Sequence, residues 1–319
     1  SGSDGSSGDG SYEITLATAA AGGSSQAAAA ALSRTASEHS DTLTLATTLT
    51  RGWSANPYLY DNDQVEAIAT DTYTVGQALD GRGSFEQESI DTLPGQGFHF
   101  SASQLYMIAI DGTGIESTAD ITADHNVYPT QPGFGARALS IDLFERSGLD
   151  DRVNGEYIDI DVADAAGAIE EGRIDALVVY GGNSQSLTGW AREVDARADV
   201  HLIEYSDQFE STIDEIRGVR SETLSPEDHG WEQDVTSVTD EIVTFTQDGM
   251  WWFGPDVHPD ATYELARLSH EHNEFVRQSD SEYPDHTDVE DMTLGLLDLP
   301  VHEGVAQFYK DNDVWQDSW

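Results

Sequence analysis

The sequence predicts an α/β protein of two lobes, each a sheet flanked by helices. Three observations carry this. The first hundred residues alternate strand, small-residue loop and helix, which is the pattern of parallel strands joined by helical crossovers. The stretch after residue 104 repeats that order. A long aromatic strand and two helices then close the chain, as expected of a segment that crosses back to pack on the first lobe. With 319 residues and 38% apolar content, the chain is long enough for two cores.

Taken in order, "YEITLAT" (12–18) reads as a strand, and "AAAGGSSQAAAAALSRTASEH" as a Gly/Ser turn into an alanine-rich helix of high propensity. "DTLTLATTLT" (41–50) alternates as a second strand, "RGWSANPYLY" (51–60) as a turn into a short helix, and "VEAIATD" (65–71) as a third strand. The second lobe opens with the strand "QLYMIAID" (104–111), a capped turn in 112–121 and the strand "NVYPT" (126–130). A glycine-bearing loop, "TQPGFGAR", leads into a helix over 137–148. "GEYIDID" (155–161) reads as a strand, 163–172 as a helix, "RIDALVVYGG" (173–182) as a strand, 186–196 as a helix and "VHLIEY" (200–205) as a strand. In the tail, 241–254 reads as a long strand, 259–278 as an amphipathic helix and 302–312 as a last short helix. The assignment is a tether over 1–11, a first lobe of 12–104 plus 247–319, and a second lobe of 105–246.

Charge narrows the partners. Sixty Asp and Glu stand against fourteen Lys and Arg, for a formal net charge of −46, spread along the whole length. Such a field repels nucleic acid and anionic lipid. Like charges at this density call for molar salt, where the Debye length falls to about 3 Å. No cysteine is present, which removes disulfides, thiolate nucleophiles and Cys-based metal sites. No apolar run reaches the roughly 18 residues of a spanning helix. The opening "SGSDGSSGDGSY" is a flexible acidic Ser/Gly segment. It is either an artificial extension or the tether of an exported protein, lipid-anchored through a removed segment; its Asp content favours the tether.

No catalytic or metal constellation stands out. "PGFGAR" has G-x-G without the third glycine of a dinucleotide loop, and Lys310, the single lysine, lies outside any P-loop pattern. His270 and His272 in "SHEHNE" stand two apart on a helix, point to different faces and read as solvated. "DNDQVE" and "DNDV" lack the glycine and terminal glutamate of an EF-hand. There is no G-x-S-x-G elbow. The chain therefore reads as a non-enzyme without cofactor.

What remains is a set of loop-to-helix junctions. "AAAGGSSQ", "RGWSANP" and "QPGFGAR" each offer backbone N–H groups and small side chains at a helix start, where an anion is favoured. In open α/β sheets such loops lie at the carboxyl ends of the strands, where ligands bind. Arg51 and Arg137 sit in two of these junctions, and a guanidinium fork suits a carboxylate. A surface ion pair with neighbouring acids is the competing reading for both.

Several segments resemble the TAXI-type solute receptors, the extracytoplasmic binding proteins of tripartite (TRAP) transporters, in a haloarchaeal, acid-rich version. "ITLATAAAGGSSQAAAAAL" is similar to their Gly/Thr-rich opening, and "IESTADI…VYPTQPGFGARALSIDLFERSGL" to their G-x-x-G-S-G-T run before a helix. "AIEEGRIDALVVYGGNSQSL" and "LPVHEGVAQFYKD" resemble the most specific motifs, including the C-terminal P-x-H-P-G-A signature. Three departures stand out: Ala19 to Ala21 precede the glycine pair, Glu303 replaces a proline, and Arg137 stands where a carboxylate is common. The resemblance implies a two-lobed periplasmic-binding-protein-like fold of type II, with a ligand cleft between lobes and no catalysis. It implies a monomer at the extracellular face of the membrane that captures a glutamate-like or dicarboxylate solute by lobe closure and hands it to TRAP permease subunits. A binding protein of an ABC importer, a sensor ectodomain and an enzyme on the same scaffold are the alternatives. By position, the contact residues it implies in the first lobe are Gly23, Ser24, Ser25, Arg51, Ser54, Asn56, Thr70 and Tyr73. In the second lobe they are Gln131, Gly133, Gly135, Ala136, Arg137, Tyr180 and Asn183.

Overall fold

The computed structural model describes residues 10–183 and 185–319, so most of the 1–11 tether lies outside the described residues. The fold is α/β, and the chain divides into two compact units, one of residues 1–101 and 248–319 and the other of 102–247. Among the described residues no helix is long and apolar enough to cross a membrane.

In the first unit, β1 (Tyr12–Ala17), β2 (Leu43–Thr48) and β3 (Ala67–Asp71) are parallel, ordered β2-β1-β3. Each is followed by a helix: Ser24–His39, Asn56–Asp61 and Thr72–Asp80. Parallel strands put all three helix starts at the same edge of the sheet. β4 (Gly95–Ile110) leaves this unit for the second. Its core here joins Leu16, Ala29, Leu32, Phe98, Phe100 and Trp251 to Leu265 and Phe308 of the C-terminal helices.

The second unit holds the rest of β4 with β5 (Val127–Tyr128), β6 (Ala176–Gly182), β7 (Ser186–Leu187), β8 (Val200–Leu202), β9 (Thr223–Leu224) and β10 (Ile242–Val243). β6 runs antiparallel to β4 and parallel to β5; β8 lies antiparallel on β4, and β9 pairs with β10. β11 (Phe245–Phe253) then carries the chain back, and its Gly249–Phe253 segment runs antiparallel to β3.

The expected parallel sheet is thus a mixed one. The antiparallel pairings run through β4, against β6 and β8, and β11, against β3, with the short pairs β6–β7 and β9–β10 beside them. β4 is also longer than the expected 104–111. In its added N-terminal part, "GQGFHF", a Cβ on Gly97 would lie 2.7 Å from the Trp251 carbonyl oxygen. Here glycine permits close strand packing rather than a bend. Residues 155–161 are not a strand. Ile158 and Ile160 do pack on the core, but the ladder stops at one bond, from the Ile158 N–H to the Val127 carbonyl; Arg137 donates to the Ile158 carbonyl and the Tyr128 hydroxyl to that of Ile160.

The helix expected over 259–278 is two helices, Pro259–Glu271 and Asn273–Ser279, broken at His272. His270 and His272 are not simply solvated. His270 bonds the His286 carbonyl through Nδ1 at 2.8 Å, and the His272 ring stacks on His39 at 4.1 Å. Helix Thr72–Asp80 is unforeseen, because its first turn of Thr72, Tyr73, Thr74 and Val75 has strand rather than helix propensity. Asp71 starts it by accepting from the Thr74 N–H at 2.8 Å.

The C-terminal "PVHEG" segment has a packing reason. His302 caps helix Glu303–Asp311 by accepting from the Gly304 N–H, and its Nδ1 also lies 2.9 Å from Thr262 Oγ1. A Cβ on Gly304 would fall 1.9 Å from the Pro259 carbonyl oxygen, so the two helices meet backbone to backbone. Gly304→Ala is expected to cost about 3 kcal/mol or more. Urea unfolding in molar salt measures it, and an unchanged midpoint would contradict the close approach.

Candidate functional site

A carboxylate at a helix start is favoured by the bare N–H groups of the first turn and by the dipole. Among the described residues, three of the six helices of nine or more residues fill that place with their own acids. Asp260 and Glu303 lie in the first turns of their helices, and Asp71 caps Thr72–Asp80. The helices Ser24–His39, Gly135–Ser147 and Gly189–Arg197 have neither a first-turn acid nor a side-chain cap. The first two are the junctions "AAAGGSSQ" and "QPGFGAR".

In the first unit, Gly23 is the N-cap of Ser24–His39, in extended conformation. Ser24 is exposed and Ser25 is buried. Trp53 organises this corner, and sequence reasoning did not single it out. Its indole Nε1 donates to Ser25 Oγ at 3.1 Å, and its carbonyl accepts from Thr70 Oγ1 at 2.8 Å. Its ring meets Phe100 edge-on, and Gly249 lies beneath it, where a Cβ would come within 2.8 Å of the indole. The structure therefore brings Ser25 and Thr70 together through Trp53, whose only sequence signal is an aromatic inside a small-residue loop.

The remaining first-unit candidates are placed differently. Asn56 is buried, and its Nδ2 donates to the carbonyls of Thr18 and Ala69 at 2.7 Å and of Ala17 at 3.3 Å. Its Oδ1 accepts from Thr50 Oγ1. Its amide thus ties the ends of β1 and β3. The helix it begins, Asn56–Asp61, has only six residues. Tyr73 is buried with its hydroxyl accepting from Gln77 Nε2 at 2.9 Å. Ser54 is exposed. Arg51 is exposed and lines a cavity of about 380 Å³ with Thr48, Thr50, Leu59, Gln64 and Val65, a set without Ser25 or Thr70.

In the second unit the loop before Gly135–Ser147 is held in an uncommon shape. Thr130 has φ 80°, a left-handed value that a β-branched residue rarely adopts. Arg137 holds it there: one nitrogen donates to the Thr130 carbonyl at 2.8 Å and to that of Ile158 at 3.0 Å, and another pairs with Asp159. The Arg137 guanidinium is thus engaged with its own loop. Gln131 Oε1 accepts from the Val162 N–H at 3.0 Å, Gly133 turns with φ 90°, and Ala136 is buried. The amides of Gly135 and Ala136 have no partner among the described residues.

Tyr180 and Asn183 lie at the end of β6. Asn183, with φ 52°, accepts from the Ala102 N–H through Oδ1 at 2.8 Å, and the Tyr180 ring meets Trp190 edge-on. Beneath them, a Cβ on Gly181 would press within 2.9 Å of the His229 ring. Trp231 donates to the Tyr106 hydroxyl, which in turn donates to His229 Nδ1 at 2.9 Å, leaving Nε2–H to donate to Gln104 Oε1. A neutral imidazole satisfies this chain, and burial pushes the His229 pKa down to about 4. Among the described residues, no group of three or more His, Asp or Glu side chains is arranged to hold a metal.

Two outcomes follow. Between pH 6.5 and about 4 the unfolded chain takes up a proton at this position that the folded chain refuses, so stability is lost as pH falls through that window. The loss is on the order of 3 kcal/mol, and thermal unfolding of the parent should fall further across it than that of His229→Gln; parallel curves would contradict the buried neutral ring. Arg137→Ala should lower stability by about 2 kcal/mol by freeing the Thr130 loop, while Arg51→Ala stays within about 0.5 kcal/mol. The reverse order in a melting experiment would show that Arg137 is not the brace.

Among solved structures, the chain is similar to the periplasmic aliphatic sulphonate binding protein SsuA from Escherichia coli, at 10% identity and TM-score 0.44, covering 96% of this chain and 94% of that one. A TctC solute binding protein from Polaromonas gives 11% and 0.48, over 86% and 90%. An ABC-type phosphate transport receptor from Vibrio cholerae gives 13% and 0.45, over 85% and 99%. Among curated proteins none matches. The NMT1-like family model matches residues 16–312, nearly the whole chain, and the chain belongs to that family.

Proposed function

We propose that this chain is the extracytoplasmic solute-binding protein of a transport system, of the TAXI type that serves TRAP permeases, and that its cargo is a small organic anion or amino acid. The observation that carries the reading is the pair of bare helix starts, Ser24–His39 in one unit and Gly135–Ser147 in the other. A chain with sixty acids keeps both free of carboxylates. Each offers backbone donors to an anion at no cost in side-chain ordering. The Ser25–Trp53–Thr70 corner adds hydroxyls at the first.

Under this reading the acid excess is a halophilic adaptation and the bare helix starts serve the cargo. Capture by closure and delivery to a permease rest on the resemblance to TAXI receptors. Physically, a solute favours whichever arrangement of the protein it binds more tightly, and by that difference alone.

A thermal-shift screen in molar salt tests the reading, with glutamate, glutamine, 2-oxoglutarate, succinate, neutral amino acids and sugars as probes. A cargo at a hundredfold over its Kd adds about 2.7 kcal/mol of stability. A shift with one carboxylate class is expected. A shift confined to sugars would end the anion reading, and no shift with any member would end the proposal.

A further inference from the structure

Gln247 lies near the helix start Gly135–Ser147 in space but 112 positions from Gly135 in sequence, and none of the loop motifs contains it. It is 6% exposed, and its Oε1 is buried without a hydrogen-bond partner. A Cβ placed on Gly135 would lie 3.6 Å from its Nε2, so the amide sits against the first residue of the helix. Buried side-chain oxygens in folded proteins are nearly always paired, and the exceptions ask for an explanation. The Thr130 hydroxyl, in the same loop, is a second buried oxygen without a partner.

These features sit together in the second unit. Gly135 and Ala136 present two N–H groups without partners, which suit an oxyanion. Gln247 Oε1 and Thr130 Oγ1 can accept, and an oxyanion alone gives them nothing to accept from. A sulfate, a fully ionised phosphate or a plain dicarboxylate could accept from Gln247 Nε2 but would leave Oε1 without a donor. A ligand that carries an ammonium or hydroxyl group next to its carboxylate satisfies both sides. The strained φ at Thr130, fixed by Arg137, fits a loop held in advance for such a ligand.

We propose that Gln247 is a specificity-determining residue: the helix start at Gly135 takes the carboxylate, and Gln247 reads the neighbouring ammonium or hydroxyl group, so that the cargo is an amino acid or a hydroxy acid. This rests on the binding function proposed above and narrows its cargo.

The test is calorimetry in molar salt on the full chain, with glutamate, 2-hydroxyglutarate and glutarate as one matched series and alanine, lactate and propionate as another. The parent should bind the amino or hydroxy member of one series at least tenfold more tightly than its unsubstituted acid. Gln247→Leu should remove at least that factor of discrimination, while its melting temperature without ligand stays level or rises, since an unpaired buried oxygen is gone. Gln247→Met, with a flexible side chain, serves should leucine fail to fold. Binding with equal discrimination in the parent and both variants overturns the role of Gln247 and leaves the binding function standing. Tighter binding of the unsubstituted acids by the parent does the same. Silence of the parent toward every carboxylate overturns both.

Discussion

A chain of net charge −46 can hold an anion only where its own carboxylates are kept away. That constraint organises the rest of the site. Among the described residues, three of the six helices of nine or more residues follow the general preference for acids at the N-terminus, through Asp71, Asp260 or Glu303. The starts of Ser24–His39 and Gly135–Ser147 do not, and what surrounds them is small, hydroxylated or amide-bearing. The acids stabilise the helices that carry them.

Those starts are held by groups that face inward. Asn56 ties the ends of β1 and β3. Trp53 links Ser25 to Thr70. Arg137 clamps the Thr130 carbonyl, and Asn183 pins Ala102. Four polar or aromatic residues at loop junctions thus act on backbone and on one another. A loop so braced loses little further freedom when a ligand arrives, which is where preorganised sites gain affinity.

Much of this was legible in the sequence, and the limits have physical causes. The strand–loop–helix order located β1, β2, β3 and β6 and the helices Ser24–His39, Gly135–Ser147, Gly189–Arg197 and Glu303–Asp311, because each has a clean period and clear turn residues. It missed helix Thr72–Asp80, whose start depends on one capping acid. It read 155–161 as a strand because its alternation is real, although only one backbone bond joins it to β5 and side chains of Arg137 and Tyr128 hold its other carbonyls. The loops at Gly23 and Gly135 were legible from glycines and small residues. The roles of Arg51 and Arg137 were not, since sequence does not say which guanidinium already has carbonyls to hold. Gln247 carried no signal at all. It lies far along the chain in a strand-like run, and only the fold brings it to Gly135.

Hydrogen–deuterium exchange in molar salt, with and without a saturating cargo, tests the central claim most directly. The account places slowed exchange at the amides of Gly135 and Ala136 and in the first turn of Ser24–His39, with none at the equally bare start of Gly189–Arg197. Protection at the Arg51 cavity with the two helix starts unchanged would contradict it.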